Sequence, residues 1–299
     1  MKNVEQAEKM SNAPGFVAAL DQSGGSTPKA LGLYGVDETQ YVNDTQMYDL
    51  IHHMRCRIIQ SAAFTGDHVI GAILFENTID REVSGLRVAD FLWQEKQIVP
   101  FLKVDKGLAY KNKGVQLLKP MPELDALLMR AKAANIFGTK MRSFIYHANL
   151  AGITDIVEQQ FEVANQILSH DLVPIIEPEV DISSPDKAEA EQMLLESLAL
   201  HLNDLKARDK VILKLTLPDQ PNHYASLSSH ANIMRVMALS GGYSRQEANI
   251  MLSQNVFMVA SFSRALSEGL NASQSDNDFD ETLARTIHEI FNASVSGSS

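Results

Sequence analysis

The sequence predicts an α/β fold: one (β/α)8 (TIM) barrel domain spanning 1–299, with an extra helix at its N-terminus. Three observations point there. Short apolar, β-branched runs alternate with longer segments of helical period along the 299 residues, the pattern of repeated βα units around a parallel sheet. There are eight such runs, the number at which tilted parallel strands close around a side-chain-filled interior. No Pro/Gly/Ser-rich linker interrupts them. A doubly wound open sheet is the alternative reading of the same alternation.

In chain order, the polar N-terminal segment "MKNVEQAEKMSN" supplies the extra helix, and "FVAALD" (16–21) is strand one. Strands two to eight are "HVIGAILFE" (68–76), "VPFLKVD" (99–105), "FGTKMRS" (137–143), "LVPIIEPE" (172–179), "VILKLTL" (211–217), "IMRVMALSG" (233–241) and "FMVASFS" (257–263). Between them "MPELDALLMRAKAANI" (121–136), "ITDIVEQQFEVANQILSH" (153–170) and "KAEAEQMLLESLALHLNDLKA" (187–207) repeat apolar residues at three and four, as helices do. "FDETLARTIHEIF" (279–291) is a last helix.

Composition narrows the function. With 45% hydrophobic and 21% charged residues the chain has the makings of one large core. A net charge of −11 offers no basis for binding nucleic acid or an anionic membrane, so an anionic ligand has to be met by local cations. Cys56 is the only cysteine, which rules out an intrachain disulfide and a thiolate zinc site and fits a reducing compartment. No run reaches the roughly 18 apolar residues of a membrane helix, and the N-terminus lacks the apolar centre of a signal peptide, so the expected location is cytoplasmic.

Nearly every strand ends in polar residues. Strand one ends at Asp21, three at Lys103 and Asp105, four at Lys140 and Arg142, five at Glu177 and Glu179. Strand six carries Lys214, seven reaches Ser240, and eight ends at Ser261 and Ser263 before Arg264. In a parallel barrel these carboxyl ends share one rim, where barrel enzymes keep their active sites. Taken singly, Lys103 and Asp105 read as a local ion pair at a solvated strand end, and Pro178 as the close of a ladder. Lys214 resists that treatment, because "VILKLTL" places it among apolar neighbours. A lysine partly desolvated among other cations gives up its proton more readily, and the free amine attacks carbonyl carbon. Lys140 and Arg142 supply neighbouring charge, the Glu177/Glu179 pair is placed to shuttle protons, and Asp21 can serve as a base.

Two Ser-Gly-Gly turns add a second signal. "DQSGGSTPKAL" follows strand one and "LSGGYSRQEA" follows strand seven, each leading into a helix, and a glycine turn at a helix start presents free N–H groups to phosphate. The second lies where barrel enzymes repeatedly bind phosphate. Two such turns suit a ligand with two anionic ends.

In order, "AALDQSGGS", "GAILFE", "KVDKG", "KMRS", "VPIIEPE", "LKLT", "LSGGYS" and "SFSRAL" resemble class I (Schiff-base) fructose-bisphosphate aldolases, of the bacterial branch. The resemblance runs from about Gly15 into the last helix. It implies a metal-independent, cofactor-free lyase of glycolysis and gluconeogenesis that reversibly cleaves fructose 1,6-bisphosphate to dihydroxyacetone phosphate and glyceraldehyde 3-phosphate. By that resemblance Lys214 forms the imine, Glu177 moves protons during its formation, Glu179 is its partner, Asp21 is the acid of carbon–carbon cleavage, and Lys140 and Arg142 are the cationic pair. Ser240, Gly241, Gly242, Ser261 and Arg264 correspond to the C1-phosphate site, and Ser23, Ser26 and Lys103 to the C6-phosphate site.

The chain departs from the family at Gln22, where many members have Glu, and at Ala30, where animal members have Arg. It also lacks the long tail and terminal tyrosine of animal members, so tail-dependent control of product release is not expected. The partners implied are phosphorylated sugars, with no nucleic acid and no membrane; a homo-oligomer is compatible with the sequence. A metal-dependent aldolase needs a histidine cluster at the rim, which the nine histidines do not supply. Another Schiff-base or transaldolase-like aldolase, or a non-catalytic phosphosugar-binding barrel, is the competing reading.

Overall fold

The alternation of apolar runs and helical segments resolves into a barrel. The structure, a computed structural model, describes residues 3–296, so the first two and last three residues of the expected 1–299 domain lie outside it. Eight parallel strands follow one another in chain order: Phe16–Leu20, Val69–Leu74, Val99–Lys103, Gly138–Ile145, Val173–Val180, Val211–Thr216, Ile233–Leu239 and Met258–Ala260. Strand eight meets strand one through the Ala19 N–H, which donates to the Phe262 carbonyl at 3.1 Å. The expected barrel is what the chain forms; the open-sheet alternative is not.

The helices begin where side chains can satisfy their free N–H groups. Asn43 accepts from Gln46 N–H ahead of Asp44–Gln60, Asn149 from Gly152 N–H ahead of Leu150–Ser169, and Ser275 from Asp278 N–H ahead of Asp276–Val295. Their buried residues recur at three and four, as Ile153, Ile156, Val157, Phe161 and Ala164 do.

Period-two alternation along each strand divides the core in two. Leu213 and Leu215 face the helices, while Ile212 joins Val17, Ile73, Val99, Phe101, Ile175, Met237 and Val259 inside the barrel. Residues two positions further on, Lys103, Glu177 and Lys214, therefore sit one layer above this apolar filling. Phe101 fills the centre at the expense of a neighbour: a Cβ on Gly138 would lie 2.2 Å from the Val173 carbonyl oxygen and 2.8 Å from the Phe101 ring.

The N-terminal helix, Val4–Asn12, closes the bottom. Its Ala7 and Met10 belong to the interior cluster. Arg235 on strand seven donates to the Met10 carbonyl at 2.8 Å and the Ala13 carbonyl at 3.0 Å, holding the helix end against the barrel floor.

Two features differ from the sequence reading. Pro178 does not end its strand, which runs on to Val180. Strand five pairs with strand six only at Ile175 and Ile176, since proline has no N–H to offer the ladder, and the Thr216 hydroxyl then bridges to Val180 N–H and C=O at 2.8 and 2.9 Å. The chain also forms the two-residue strands Glu82–Val83, Leu86–Arg87 and Val115–Gln116, too short to leave a period in the sequence.

Candidate active site

A cavity of about 860 Å³ opens at the carboxyl-terminal rim, and it collects nearly every expected residue. Asp21, Lys140, Arg142, Glu177, Glu179 and Lys214 line it together with Ser23, Ser26, Lys103, Ser240, Gly241, Ser261 and Arg264. Gly242 does not. It has φ 132°, and a Cβ there would lie 3.0 Å from the Ile182 side chain and 3.5 Å from the Arg264 guanidinium.

The centre is a row of buried charges. Lys140 Nζ lies 2.6 Å from Asp21 Oδ2 and 2.9 Å from Glu177 Oε2; Lys214 Nζ lies 2.9 Å from Glu177 Oε1. All four residues are at most 8% exposed, so each charge depends on its neighbours for the stabilisation that water would otherwise give. Burial by itself would raise the Asp21 carboxyl, but Lys140, then Lys214 and Lys103, hold it well below the usual carboxylate range. Burial likewise opposes charge on Lys140, yet Asp21, Glu177 and Asp105 hold its ammonium well above the usual lysine range. Asp21 and Lys140 are thus a fixed anion and a fixed cation. Glu177 is shared between the two lysines, and its backbone N–H is held by Gln160 Oε1 at 3.1 Å from the helix behind the sheet.

Arg142 pairs with Glu179 through its Nε. Lys103 pairs with Asp105 at 2.7 Å, and Asp105 also accepts from Gly107 N–H and from Arg142 N–H. The local ion pair that Lys103 and Asp105 suggest as neighbours in sequence is real, and it lies inside the cavity.

The two Ser-Gly-Gly turns are unlike each other. After strand one, the Ser26 hydroxyl accepts from Ser23 N–H at 3.1 Å, while Ser26 and Thr27 N–H both bond the Ser23 carbonyl. After strand seven, Gly241 takes φ 59°, and a Cβ there would meet Ile182 at 2.6 Å. The helix that follows, Arg245–Ser253, has a complete capping box from Ser244 and Glu247, and its Arg245 N–H bonds Glu268. Its start is therefore closed to an anion, contrary to expectation. What remains at this end are the loop itself, the buried Ser261 hydroxyl, which has no partner among the described residues, and Arg264, which has no carboxylate partner among them.

Sequence reasoning passed over Arg55, for nothing in "HHMRCR" marks one arginine as buried. It is 1% exposed, and its guanidinium donates to Gln22 C=O at 2.6 Å and Thr78 Oγ1 at 2.7 Å, all neutral acceptors. Burial lowers it to about 10, with Asp21 the first charge opposing that. Gln22 in turn donates to Ser263 Oγ at 3.0 Å. Gln22→Glu is expected to give Arg55 a charged acceptor and raise stability by about 1 kcal/mol, roughly 2 °C in Tm. A lower Tm in calorimetry would mean that repulsion from Asp21 outweighs the new pair.

Fold and site together define a barrel enzyme with a buried lysine and carboxylate cluster at the rim. The chain is 58% identical to the class 1 fructose-bisphosphate aldolase of Synechocystis sp. over 293 residues, 98% of either chain. The chain belongs to the class 1 fructose-bisphosphate aldolase family. A ternary co-crystal structure of fructose-bisphosphate aldolase from Plasmodium falciparum, with TRAP and a small-molecule inhibitor, matches with a TM-score of 0.77 at 19% identity, covering 98% of this chain and 93% of that one. A Corynebacterium glutamicum crystal structure matches with a TM-score of 0.54 at 11% identity, covering 98% and 92%. Both show the fold alone. No protein-family model matches the chain.

Proposed function

We propose that this aldolase cleaves fructose 1,6-bisphosphate through an imine on Lys214, with Glu177 as the proton carrier. The observation that supports the assignment most is the position of Glu177, 2.9 Å from Lys214 Nζ and 2.9 Å from Lys140 Nζ. The Lys214 ammonium passes a proton to Glu177, the resulting amine adds to the C2 carbonyl, Glu177 delivers that proton to the carbinolamine oxygen, and water leaves. The resulting iminium accepts the electron pair of the breaking C3–C4 bond and becomes an enamine. The C4 hydroxyl proton goes to a carboxylate as glyceraldehyde 3-phosphate departs. Protonation at C3 and hydrolysis then free dihydroxyacetone phosphate and restore the lysine.

Asp21 and Glu177 are the two candidates for that proton. Asp21 is held well below the ordinary range by the lysines around it, which makes it a poor acceptor. On geometry we assign that proton to Glu177, which lies 2.9 Å from Lys214 Nζ and has already given its proton to the departing water, and Asp21, 2.6 Å from Lys140 Nζ, is the anion that stabilises Lys140 and the iminium. The Gly241 turn, Ser261 and Arg264 would hold the C1 phosphate, and Ser23 and Ser26 would border the other end.

Borohydride reduction in the presence of dihydroxyacetone phosphate should add a triose phosphate mass to the peptide carrying Lys214, and cleavage should survive exhaustive chelation. An adduct on a different lysine, or activity restored only by zinc, would sink the assignment. Among the described residues no cluster of His, Cys, Asp and Glu is arranged to hold a metal, and no helix is long and apolar enough to cross a membrane. A cytoplasmic location is proposed on the sequence composition alone.

A further inference from the structure

Strand five is paired unequally along its two edges. Against strand four its register is unbroken, from Val173 opposite Gly138 to Val180 opposite Ile145. Against strand six it stops after Ile175 opposite Ile212 and Ile176 opposite Leu213. One step further, a continued ladder would set Glu177 opposite Lys214, so the two residues of the imine chemistry stand at the point where the strands part. Their side chains still meet, with Glu177 Oε1 2.9 Å from Lys214 Nζ. Without the ladder, the buried backbone that carries Glu177 needs another hold.

Gln160 supplies it. This residue lies fully buried on the helix Leu150–Ser169, among Ile153, Ile156, Val157, Phe161 and Ala164, on a face that is otherwise almost wholly apolar. Its Oε1 accepts from Glu177 N–H at 3.1 Å, and its Nε2 donates to Ser143 Oγ at 2.5 Å. Ser143, also fully buried, stands opposite Pro178 on strand four, and its hydroxyl fixes which end of the amide faces Glu177. Gln160 therefore ties strand four to the one backbone N–H that belongs to the proton carrier. Thr216 bridges strands five and six in a similar way, but at Val180, three residues beyond.

We propose that Gln160 is a positioning residue for the cleavage reaction: by fixing the Glu177 backbone it holds the carboxylate between Lys214 and Lys140, at the distance at which protons pass. The proposal rests on the reading of Glu177 as the proton carrier. A carboxylate held 2.9 Å from each of two ammonium groups has little latitude, and a misplacement of about 1 Å is enough to cost roughly 10²-fold in rate. Gln160 does not line the cavity, so its loss should fall on kcat and leave KM in place.

The test measures kcat, KM, the solvent deuterium isotope effect on kcat and Tm for Gln160→Leu, Gln160→Glu and Ser143→Ala. Gln160→Leu removes the acceptor at little change in size. Its kcat should fall about 30-fold, part of the roughly 10²–10⁴-fold that a positioned proton carrier supplies. KM should stay within about twofold, and the isotope effect should grow as proton delivery becomes the slower step. Gln160→Glu keeps an acceptor for the N–H and, since burial favours its neutral form, a donor for Ser143; it should return kcat to within about threefold of wild type. If Gln160→Leu does not fold, Ser143→Ala, which frees the amide to turn, carries the test with an expected fall of about threefold in kcat. A folded Gln160→Leu with wild-type kcat, a loss confined to KM, or no recovery in Gln160→Glu would overturn the positioning role, as would an unchanged kcat in Ser143→Ala where that variant carries the test. Glu177→Gln separates this role from the reading beneath it. Full turnover in Glu177→Gln would remove Glu177 as the carrier and the proposal with it, whereas its inactivity beside an unimpaired Gln160→Leu would remove Gln160 alone.

Discussion

Lys214→Met is expected to abolish cleavage, lowering kcat by about 10⁴-fold or more, because without the amine there is no iminium to receive the electrons of the breaking bond. The fold should survive. Glu177 loses the ammonium 2.9 Å from its Oε1 but keeps Lys140 at 2.9 Å from Oε2, so the buried carboxylate is not left without a cation. The thioether also suits a site that has Ile212 below it and Met237 beside it on strand seven. A cleavage assay, a thermal melt and borohydride trapping on the same preparation separate loss of chemistry from loss of structure. Lys214→Arg should be equally inactive, since guanidinium stays protonated and forms no imine. Cleavage within tenfold of wild type in either variant would remove Lys214 from the mechanism.

Lys140→Met should be the more damaging change to stability. It takes the one cation within ion-pair distance from Asp21 and one of two from Glu177, in a site where both carboxylates are buried. Removing one member of a buried ion pair costs about 3–5 kcal/mol, and kcat should fall by roughly 10³-fold as the proton carrier and the fixed anion are both disturbed.

The pH dependence of that cost tests its origin. Asp21 has a depressed folded pKa, so its contribution is present above the unfolded value of about 4 and is lost as pH falls through the folded one. Lys140 has a raised folded pKa, so its contribution is present below the unfolded value of about 10.4 and is lost only as pH rises through the folded one. Between about pH 4 and 10 the wild-type pair is charged in both states and its contribution is flat. In Lys140→Met, burial without its cation raises Asp21 instead, so the variant should gain stability on acidification. Urea unfolding at pH 5 and pH 8 should show the larger deficit at pH 8; an equal deficit at both would mean that the loss is one of packing.

The strand pattern was legible because a parallel barrel strand is buried on both faces, which leaves continuous apolar runs such as "FVAAL" and "VILKLT", whose one charge, Lys214, belongs to the site. Lys214 was legible for the same reason: a charge at position four of such a run has few structural explanations. Asp21, Lys140, Glu177 and Glu179 followed, because alternation along a strand puts residues two apart on one face, and the fold brings strand ends to one rim.

Other features have no sequence signature. Gln160 reaches Glu177 from a helix, Arg55 reaches Gln22 from another, and Lys119 comes to the rim only because a loop doubles back on strand three. In sequence these are ordinary polar residues in amphipathic segments. The two Ser-Gly-Gly turns look alike as letters, yet only the second has a glycine forced by a left-handed φ and a neighbour at 2.6 Å.

The barrel, the buried lysine and the acids on the strands beside it are legible in the chain alone, since burial and alternation act locally along each strand. Which charges face which is settled by the folded barrel. Ion pairing depends on distances of a few ångströms across the barrel, and it leaves Asp21 and Lys140 fixed, Glu177 shared, and Lys29, Lys119 and Arg264 without carboxylate partners among the described residues.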